Sequence, residues 1–435
     1  MTAIDRPPID RPTPTRDLRR TVVSAFAGTS IEWYDFFLFG SAAALVFPEV
    51  FFPTAQPGVG LLLSFMTYGV AFVVRPLGGI IFGRLGDIIG RRKILIATLL
   101  MMGGGTFLIG CVPGYDAIGL WATVALVLLR AVQGLGLGGE WGGAATLSAE
   151  HADGAGKVGS RGLHASWMQL GVPAGNLLAV GALFVMNAVL PEDQFLAWGW
   201  RIPFLASAVL VVITFWIRAA VHESPLFDEA QTDERPVRTM LRTSWRQVLM
   251  TIGIRIASDV SYYVFAVFAL SYIANTLNLA ASVGLTGVLV GCALQFAVIP
   301  VSAHLSDRIG RRPVYVIGAV AVGAWAFVAW PLIDTAVAGL AVLAIAIGIA
   351  AQGIMYGPMA AFITEMFPTR VRSSGAGFGY QVAGIFGGAL APFIAQLLTR
   401  TFETTSAVSV YVAITAAVAV VSALLATETS GRKLS

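Results

Sequence analysis

Glu32 and Asp35 stand three residues apart in a run, Val22 to Phe47, that holds no other charge. That run has about the length an α-helix needs to cross a bilayer. One ionised side chain at mid-bilayer costs about 2.5 to 3.5 kcal/mol on insertion scales, so the two together cost on the order of 6. They belong against protein or water, and at i and i+3 they share one face of a helix that lines a cavity. Arg130, in the middle of another apolar run, is the complementary charge. Burial favours the protonated form of a carboxyl, whereas a nearby Arg favours the ionised form. Moving Arg130 away, or engaging it with a solute anion, therefore favours protonation, and the chemistry on offer is proton carriage. The alternative is a permanent helix-to-helix bridge between Asp35 and Arg130, with Glu32 as a purely structural partner.

A second charged set follows 220 residues later, where Arg255 occupies the position that Asp35 holds in the first half and Asp259 lies one turn beyond it. Tyr262 and Tyr263 come next. A cation facing a central cavity suits an organic anion, while an i,i+4 Arg–Asp pair equally well neutralises itself. Polar residues in other apolar runs complete the expected binding set: Gln169, Asn176, Gln295, Gln352, Tyr356, Tyr380 and Gln381, with Trp33 and Tyr34 beside the first-span acids. Each is also readable as interhelical polar glue. Arg75 and Arg201 belong to Pro-flanked motifs near span ends and read as structural, and Glu140, about 15 Å beyond Arg130, reads as a gate or packing residue.

The elements that must position these groups are membrane helices. Of 435 residues, 57% are hydrophobic and 12% charged, where a soluble domain carries roughly 25% charged residues; the mean hydropathy is +0.78. Apolar runs leave room for twelve spans, near 21–46, 59–82, 94–112, 119–148, 162–187, 199–220, 247–274, 283–303, 314–333, 336–363, 375–398 and 405–427. They are apolar all round and lack the period-two alternation of a barrel strand, so the expected fold is an all-α membrane protein. The two cysteines, Cys111 and Cys292, fall in apolar runs and suggest no disulfide framework or metal cluster. The first span carries two acids and no cleavage pattern, so no cleavable signal peptide is expected.

Twenty-three of the 28 Lys and Arg residues fall in the N-terminal tail, the even-numbered loops or the C-terminus, which predicts that both termini are cytoplasmic. The basic pI thus reflects topology, and no nucleic-acid partner is implied. Residues 1–20 read as a disordered tail, 21–220 and 247–427 as two six-helix bundles, 221–246 as the linker between them and 428–435 as a short tail. An internal repeat supports the two pseudo-symmetric halves. "GRLGDIIGRRK" at Gly83 to Lys93 returns as "AHLSDRIGRRP" at Ala303 to Pro313, with Asp87, Gly90, Arg91 and Arg92 matching Asp307, Gly310, Arg311 and Arg312 at one offset of 220. In both halves an acid also precedes a basic loop, as Glu150 with Arg161 and Glu365 with Arg372. Such duplicated halves suit a transporter that rocks about a central site. Gly83, Gly86, Asp87, Gly90, Arg91 and Arg92, with their second-half counterparts, read as cytoplasmic latches in which an Asp accepts from backbone N–H groups or Arg.

On these motifs the sequence resembles the major facilitator superfamily. "EWYDF", "RPLGG" (Arg75–Gly79), "RAVQGLGLGGEWGGA" (Arg130–Ala144), "WGWRIPF" (Trp198–Phe204) and "VHESPLF" make it similar to the metabolite:proton symporters, whose relatives carry shikimate, 2-oxoglutarate, proline or betaine. "YDFFLFG", "AALVF" and "QFLAWGWRIPF" make the N-terminal half most similar to shikimate transporters. The resemblance implies twelve transmembrane helices, alternating access, and uptake of a small organic acid driven by protons, with no other cofactor, in a bacterial inner membrane and as a monomer. It also implies that a first-helix acid facing a fourth-helix Arg is the coupling pair. Two departures from the pattern stand out: Ile88 replaces the usual basic residue, and Ala303 and Ser306 replace glycines, marking the second latch as the weaker.

No GxxxxGK[ST] loop is present for ATP, and "GLGLGG" at Gly134 to Gly139 lies within an apolar helix with no preceding strand, so it reads as helix packing. The four His residues, at 151, 164, 222 and 304, are scattered, which argues against a membrane enzyme. A proline or betaine symporter is the closer rival, and a transport-inactive sensor stays open.

Overall fold

A computed structural model describes residues 14–56, 58–89, 91–138, 160–219, 242–368 and 371–431, without the side chains of 14–25, 83–84, 86–89, 91–92, 95 and 214–219. The first half comprises α1 (Pro14–Leu45), α2 (Val59–Ile89), α3 (Arg91–Cys111), α4 (Leu120–Leu137), α5 (Arg161–Val189) and α6 (Arg201–Ala219). The second comprises α7 (Trp245–Asn275), α8 (Ala281–Ile309), α9 (Arg311–Asp334), α10 (Ala338–Glu365), α11 (Arg372–Phe402) and α12 (Ser406–Leu425). Among the described residues nine of these are long and apolar enough to cross a bilayer. A tenth, α6, does so with its lead-in Glu192–Gly199, to which it is bent by 41°. α1 and α3 complete the twelve spans expected from the sequence.

Large apolar side chains such as Trp121, Leu128, Val185, Ile317 and Leu425 stay exposed on the outside of the bundle. A continuous apolar exterior of this kind needs hydrocarbon around it. Inside, small residues set the helix spacing. A Cβ on Gly134 or Gly138 of α4 would run into the α2 backbone at Ala71 or Arg75, so "GLGLGG" is where two helix backbones touch. Residues 139 and 140 lie outside the described set, as do Gly90 and Glu150.

The halves meet along α1, α2 and α5 on one side and α7, α8, α10 and α11 on the other. Contacts close this seam at both ends. At the end where α1 and α7 finish, Asn275 Nδ2 donates to the Ala44 carbonyl at 3.4 Å, and Gly69 of α2 packs on Ala389 of α11. At the opposite end, which carries the Arg-rich loops, a buried charge network spans the seam. Between the two closures lies the central site.

Candidate functional site

The central cavity is lined by Trp33 and Phe37 of α1, Val172 of α5, Asp259, Tyr262 and Tyr263 of α7, Gln295 of α8, Gln352 and Tyr356 of α10, and Tyr380 of α11. Its volume is about 20 Å3, room for one or two waters and far below the ≈ 300 Å3 of a metabolite pocket. With both ends shut, this is a closed state that must open to admit a solute. Six of the ten lining side chains are aromatic. Five-residue π-helical turns at Val264–Phe268 and Ile385–Ala389 interrupt α7 and α11 beside this region, a device often found at functional sites.

Eight of the residues expected at the solute site line this cavity: Trp33, Asp259, Tyr262, Tyr263, Gln295, Gln352, Tyr356 and Tyr380. Gln295 Nε2 donates to Gln352 Oε1 at 2.7 Å, and Gln352 Nε2 to Ser258 Oγ at 2.7 Å, which fixes both amides. Other members of the expected set sit elsewhere. Tyr34 turns away, its hydroxyl donating to the Pro203 carbonyl inside the first half. Gln169 donates to the Tyr356 carbonyl, and Asn176 to the Tyr262 hydroxyl and Cys292 Sγ, so both brace the seam beside the cavity. Gln381 donates to the Gly138 carbonyl across the seam. Arg255 is bound within its own half: Nε lies 2.8 Å from Asp259 Oδ2, Nη1 donates to the Tyr380 carbonyl, and the guanidinium lies on the Tyr380 ring. Of the two sequence readings for Arg255, the self-neutralised pair is the one present. Phe37 and Val172 are lining residues that no charge or polarity in the sequence marks.

Asp35 and Arg130 face a second, smaller cavity of about 10 Å3 inside the first half, with Phe36, Ala71, Met102, Gln133 and Leu137. They form no direct ion pair in this state. Arg130 Nη1 donates to Gln133 Oε1 at 3.1 Å, Gln133 Nε2 donates to Thr106 Oγ1 at 2.7 Å, and Thr106 lies against the Asp35 carboxyl. Asp35 Oδ1 and Arg130 Nη2 are buried with no partner. Arg130 thus belongs to this site and not to the central cavity. Glu32, expected beside Asp35, is half-buried, is not among the residues lining that cavity, and lies within electrostatic reach of Arg75. A helix face one side chain wide splits when aromatic neighbours such as Trp33 and Phe36 fill the space between its members. Arg201 Nη2 donates to the Val112 carbonyl and its guanidinium stacks on Trp200, consistent with a structural role.

The network at the basic end joins the halves directly. Asp307 of α8 accepts the backbone N–H groups of Gly162 and Leu163, both at 2.9 Å, at the start of α5, where helix-end amides favour an anion. Arg311 bonds Asp307 at 2.7 Å and Glu365 at 3.1 Å, and Arg161 of the first half reaches the same Glu365 at 3.1 Å. All four side chains are 2% exposed or less. Arg372, also buried, donates to the Phe367 carbonyl. Ser306, a glycine in the first copy, adds a bond to this latch by accepting from Arg311 Nη1 at 2.8 Å. Gly310 turns the chain at φ +108°, a conformation that favours glycine. The first-copy latch residues Gly83, Gly86, Asp87, Arg91 and Arg92 lie outside the described side chains.

One contact in this network was not expected from the sequence. Glu428, past the end of α12, accepts the Arg311 and Arg312 N–H groups at 2.9 and 3.0 Å, capping α9, and Thr429 donates to Glu365 Oε2 at 2.6 Å. Burial pushes the Glu428 pKa up, but the N–H donors of Ser430, Arg311 and Arg312 outweigh it and hold the carboxyl below its ordinary 4.5. The sign follows: a depressed carboxylate lends stability above the ordinary value and loses it as pH falls through the lower, folded one. Glu428→Gln should remove about 1 kcal/mol of end-cap stabilisation, with a melting temperature about 1 °C lower at pH 7 and a difference that closes in acid. A scanning melt at pH 7 and below pH 4 checks it.

The family model "Sugar (and other) transporter" matches residues 20–244 and 227–435, nearly the whole chain. The chain belongs to this transporter family. An inner-membrane metabolite transport protein of Escherichia coli is 38% identical over 97% of both chains. The E. coli shikimate transporter is 39% identical over 88% of each, and the E. coli proline/betaine transporter is 33% identical over 96% of this chain and 85% of its own. Among solved structures, a major facilitator superfamily proton:xylose symporter bound to 6-bromo-6-deoxy-D-glucose superposes with a TM-score of 0.74 at 15% identity, covering 97% and 98% of the two chains. The inward-open E. coli xylose transporter gives 0.68 at 16%, over 96% and 98%. The fold is therefore that of the superfamily, the transporter is a multi-pass cell-membrane protein, and its relatives are transporters, not enzymes.

Proposed function

We propose that this transporter is a proton-coupled symporter that carries a small organic acid, of the shikimate kind, into the cell by alternating access, acting as a monomer with its basic end in the cytoplasm. The observation that carries the reading is the second cavity. An acid and an arginine face one closed space, each with a buried polar atom unpartnered, and such a pair is held only if it changes partners during the cycle. Asp35 is the proton carrier, Arg130 the group whose movement governs it, and the central cavity the solute site. Phe36 stands between the two regions: it lines the acid cavity and packs edge-on at 6.3 Å against Tyr263, which lines the solute cavity.

Purified protein in proteoliposomes tests this with shikimate, 2-oxoglutarate, citrate, aromatic acids, proline and betaine, under an imposed pH gradient, alkaline inside. One pH unit should drive about tenfold accumulation of the carried acid at one proton per solute. Uptake indifferent to the gradient overturns the proposal. A second reading, a betaine or proline symporter, draws on the aromatic lining of Trp33, Phe37, Tyr262, Tyr263, Tyr356 and Tyr380 with Asp259, because ring faces and a carboxylate attract a quaternary ammonium. Betaine accumulating where shikimate does not decides for it.

A further inference from the structure

We propose that Arg75 of α2 is the anchor for the carboxylate of the transported solute: a guanidinium packed against the rings of Phe36 and Phe72 beside the central cavity, with Nε and Nη2 open to an anion. This rests on the transport reading above and adds to it a binding residue.

Arg75 is the seventeenth residue of the 31-residue α2, and is 2% exposed. Its carbon Cζ lies 4.4 Å from the Phe36 ring centroid, 4.5 Å from that of Phe72 and 5.8 Å from that of Trp33, while Nε and Nη2 are buried without a hydrogen-bond partner. Even with the half-buried Glu32 within electrostatic reach, a buried guanidinium with two donors left open is expensive, and an anion that arrives there would satisfy it. The ring contacts favour Arg over Lys, since a planar guanidinium packs on aromatic rings and still presents its edge to a carboxylate in two parallel bonds. Arg130 lies 4.5 Å from the centroid of the same Phe36 ring, so two cations share one aromatic plate. Arg255, also within electrostatic reach, is already neutralised by Asp259. Trp33 is common to Arg75 and the solute cavity, and Phe72 packs on Tyr263 at 5.5 Å and against Gly384 of α11 across the seam. Opening the α2–α11 seam therefore uncovers the guanidinium edge toward the solute. An anion there relieves the repulsion felt by Arg130, which ties solute binding to the proton site.

The full chain in proteoliposomes, as wild type, Arg75→Lys and Arg75→Gln, is assayed for uptake of shikimate and glycine betaine, with the methyl ester of each as competitor. Both solutes bear a carboxylate, so the anchor is tested whichever one is carried. Arg75→Gln should raise KM by about 10- to 100-fold, as expected for lost charge-assisted bonds, and abolish the preference for acid over ester, with Arg75→Lys between. A KM within about threefold of wild type, or an equal loss for acid and ester, overturns the proposal. If Arg75→Gln does not fold, wild-type protein is treated with phenylglyoxal and mapped by mass spectrometry. Protection of Arg75 by the carried solute but not by its ester supports the anchor, and no protection at saturation overturns it. Where the wild type carries another acid of the panel above, that acid and its methyl ester take their place; a wild-type chain that carries no solute of the panel overturns the transport reading and the anchor together.

Discussion

Asp35→Asn should abolish proton-driven accumulation while leaving solute counterflow within about threefold of wild type. Asn keeps the size and hydrogen-bonding reach of the side chain but cannot ionise, so it mimics the protonated carrier. Counterflow needs only that the loaded site face each side in turn, whereas accumulation needs a proton to be released. Under one pH unit the wild type should reach about tenfold accumulation and the variant none. The local packing favours a clean result: Asp35 makes no ion pair that the change would break, and its Oδ1 has no hydrogen-bond partner to lose. Equal loss of accumulation and counterflow would instead make Asp35 a structural member of the first half and remove the coupling mechanism.

The twelve spans were legible in the sequence because bilayer crossing imposes length and composition on each segment separately. The repeat at 220 residues was legible for a similar reason, since the Gly310 turn and the i,i+4 Asp307–Arg311 pair are local backbone and charge tasks that tolerate few other residues. The aromatic half of the solute cavity was partly legible through Tyr262, Tyr263, Tyr356 and Tyr380, polar-tipped rings standing in lipid-length helices. What the sequence did not convey is direction. Tyr34 and Trp33 are neighbours, yet one bonds α6 and the other lines the cavity, because 100° of helix rotation separates them. Glu32 and Asp35 share a face by spacing but not a cavity, and Arg255 meets its own Asp259 before any solute. Arg75 read as structural beside Pro76. Its packing on Phe36 and Phe72 depends on how α1 crosses α2, which no spacing within either helix encodes.

Glu365→Gln should unlock the basic end. Among the described residues, Glu365 is an acid that Arg161 of the first half and Arg311 of the second both approach, at 3.1 Å each, and Thr429 donates to it as well. Removing the carboxylate that two buried arginines share weakens the compensation of both, at a cost of about 3 to 5 kcal/mol to the conformation that buries them. That cost falls on the closed seam alone, because opening lets water reach Arg161 and Arg311. The equilibrium should thus move toward the state open at this end by a factor of 100 or more. Ala361, fully buried one turn inside Glu365 and clustered with Ala165 across the seam, reports it. In a background without Cys111 and Cys292, a cysteine introduced by Ala361→Cys should react slowly with a polar maleimide when Glu365 is present and at least about tenfold faster with Glu365→Gln. Asp307→Asn should act in the same direction, because it weakens the acceptor for the Gly162 and Leu163 N–H groups that begin α5. Uptake should fall in both variants while binding persists, since a transporter held open at one end binds solute but returns slowly. An unchanged alkylation rate would mean that the network stabilises helix ends without governing access, and that the closure lies deeper, where Gln169 and Asn176 cross the seam.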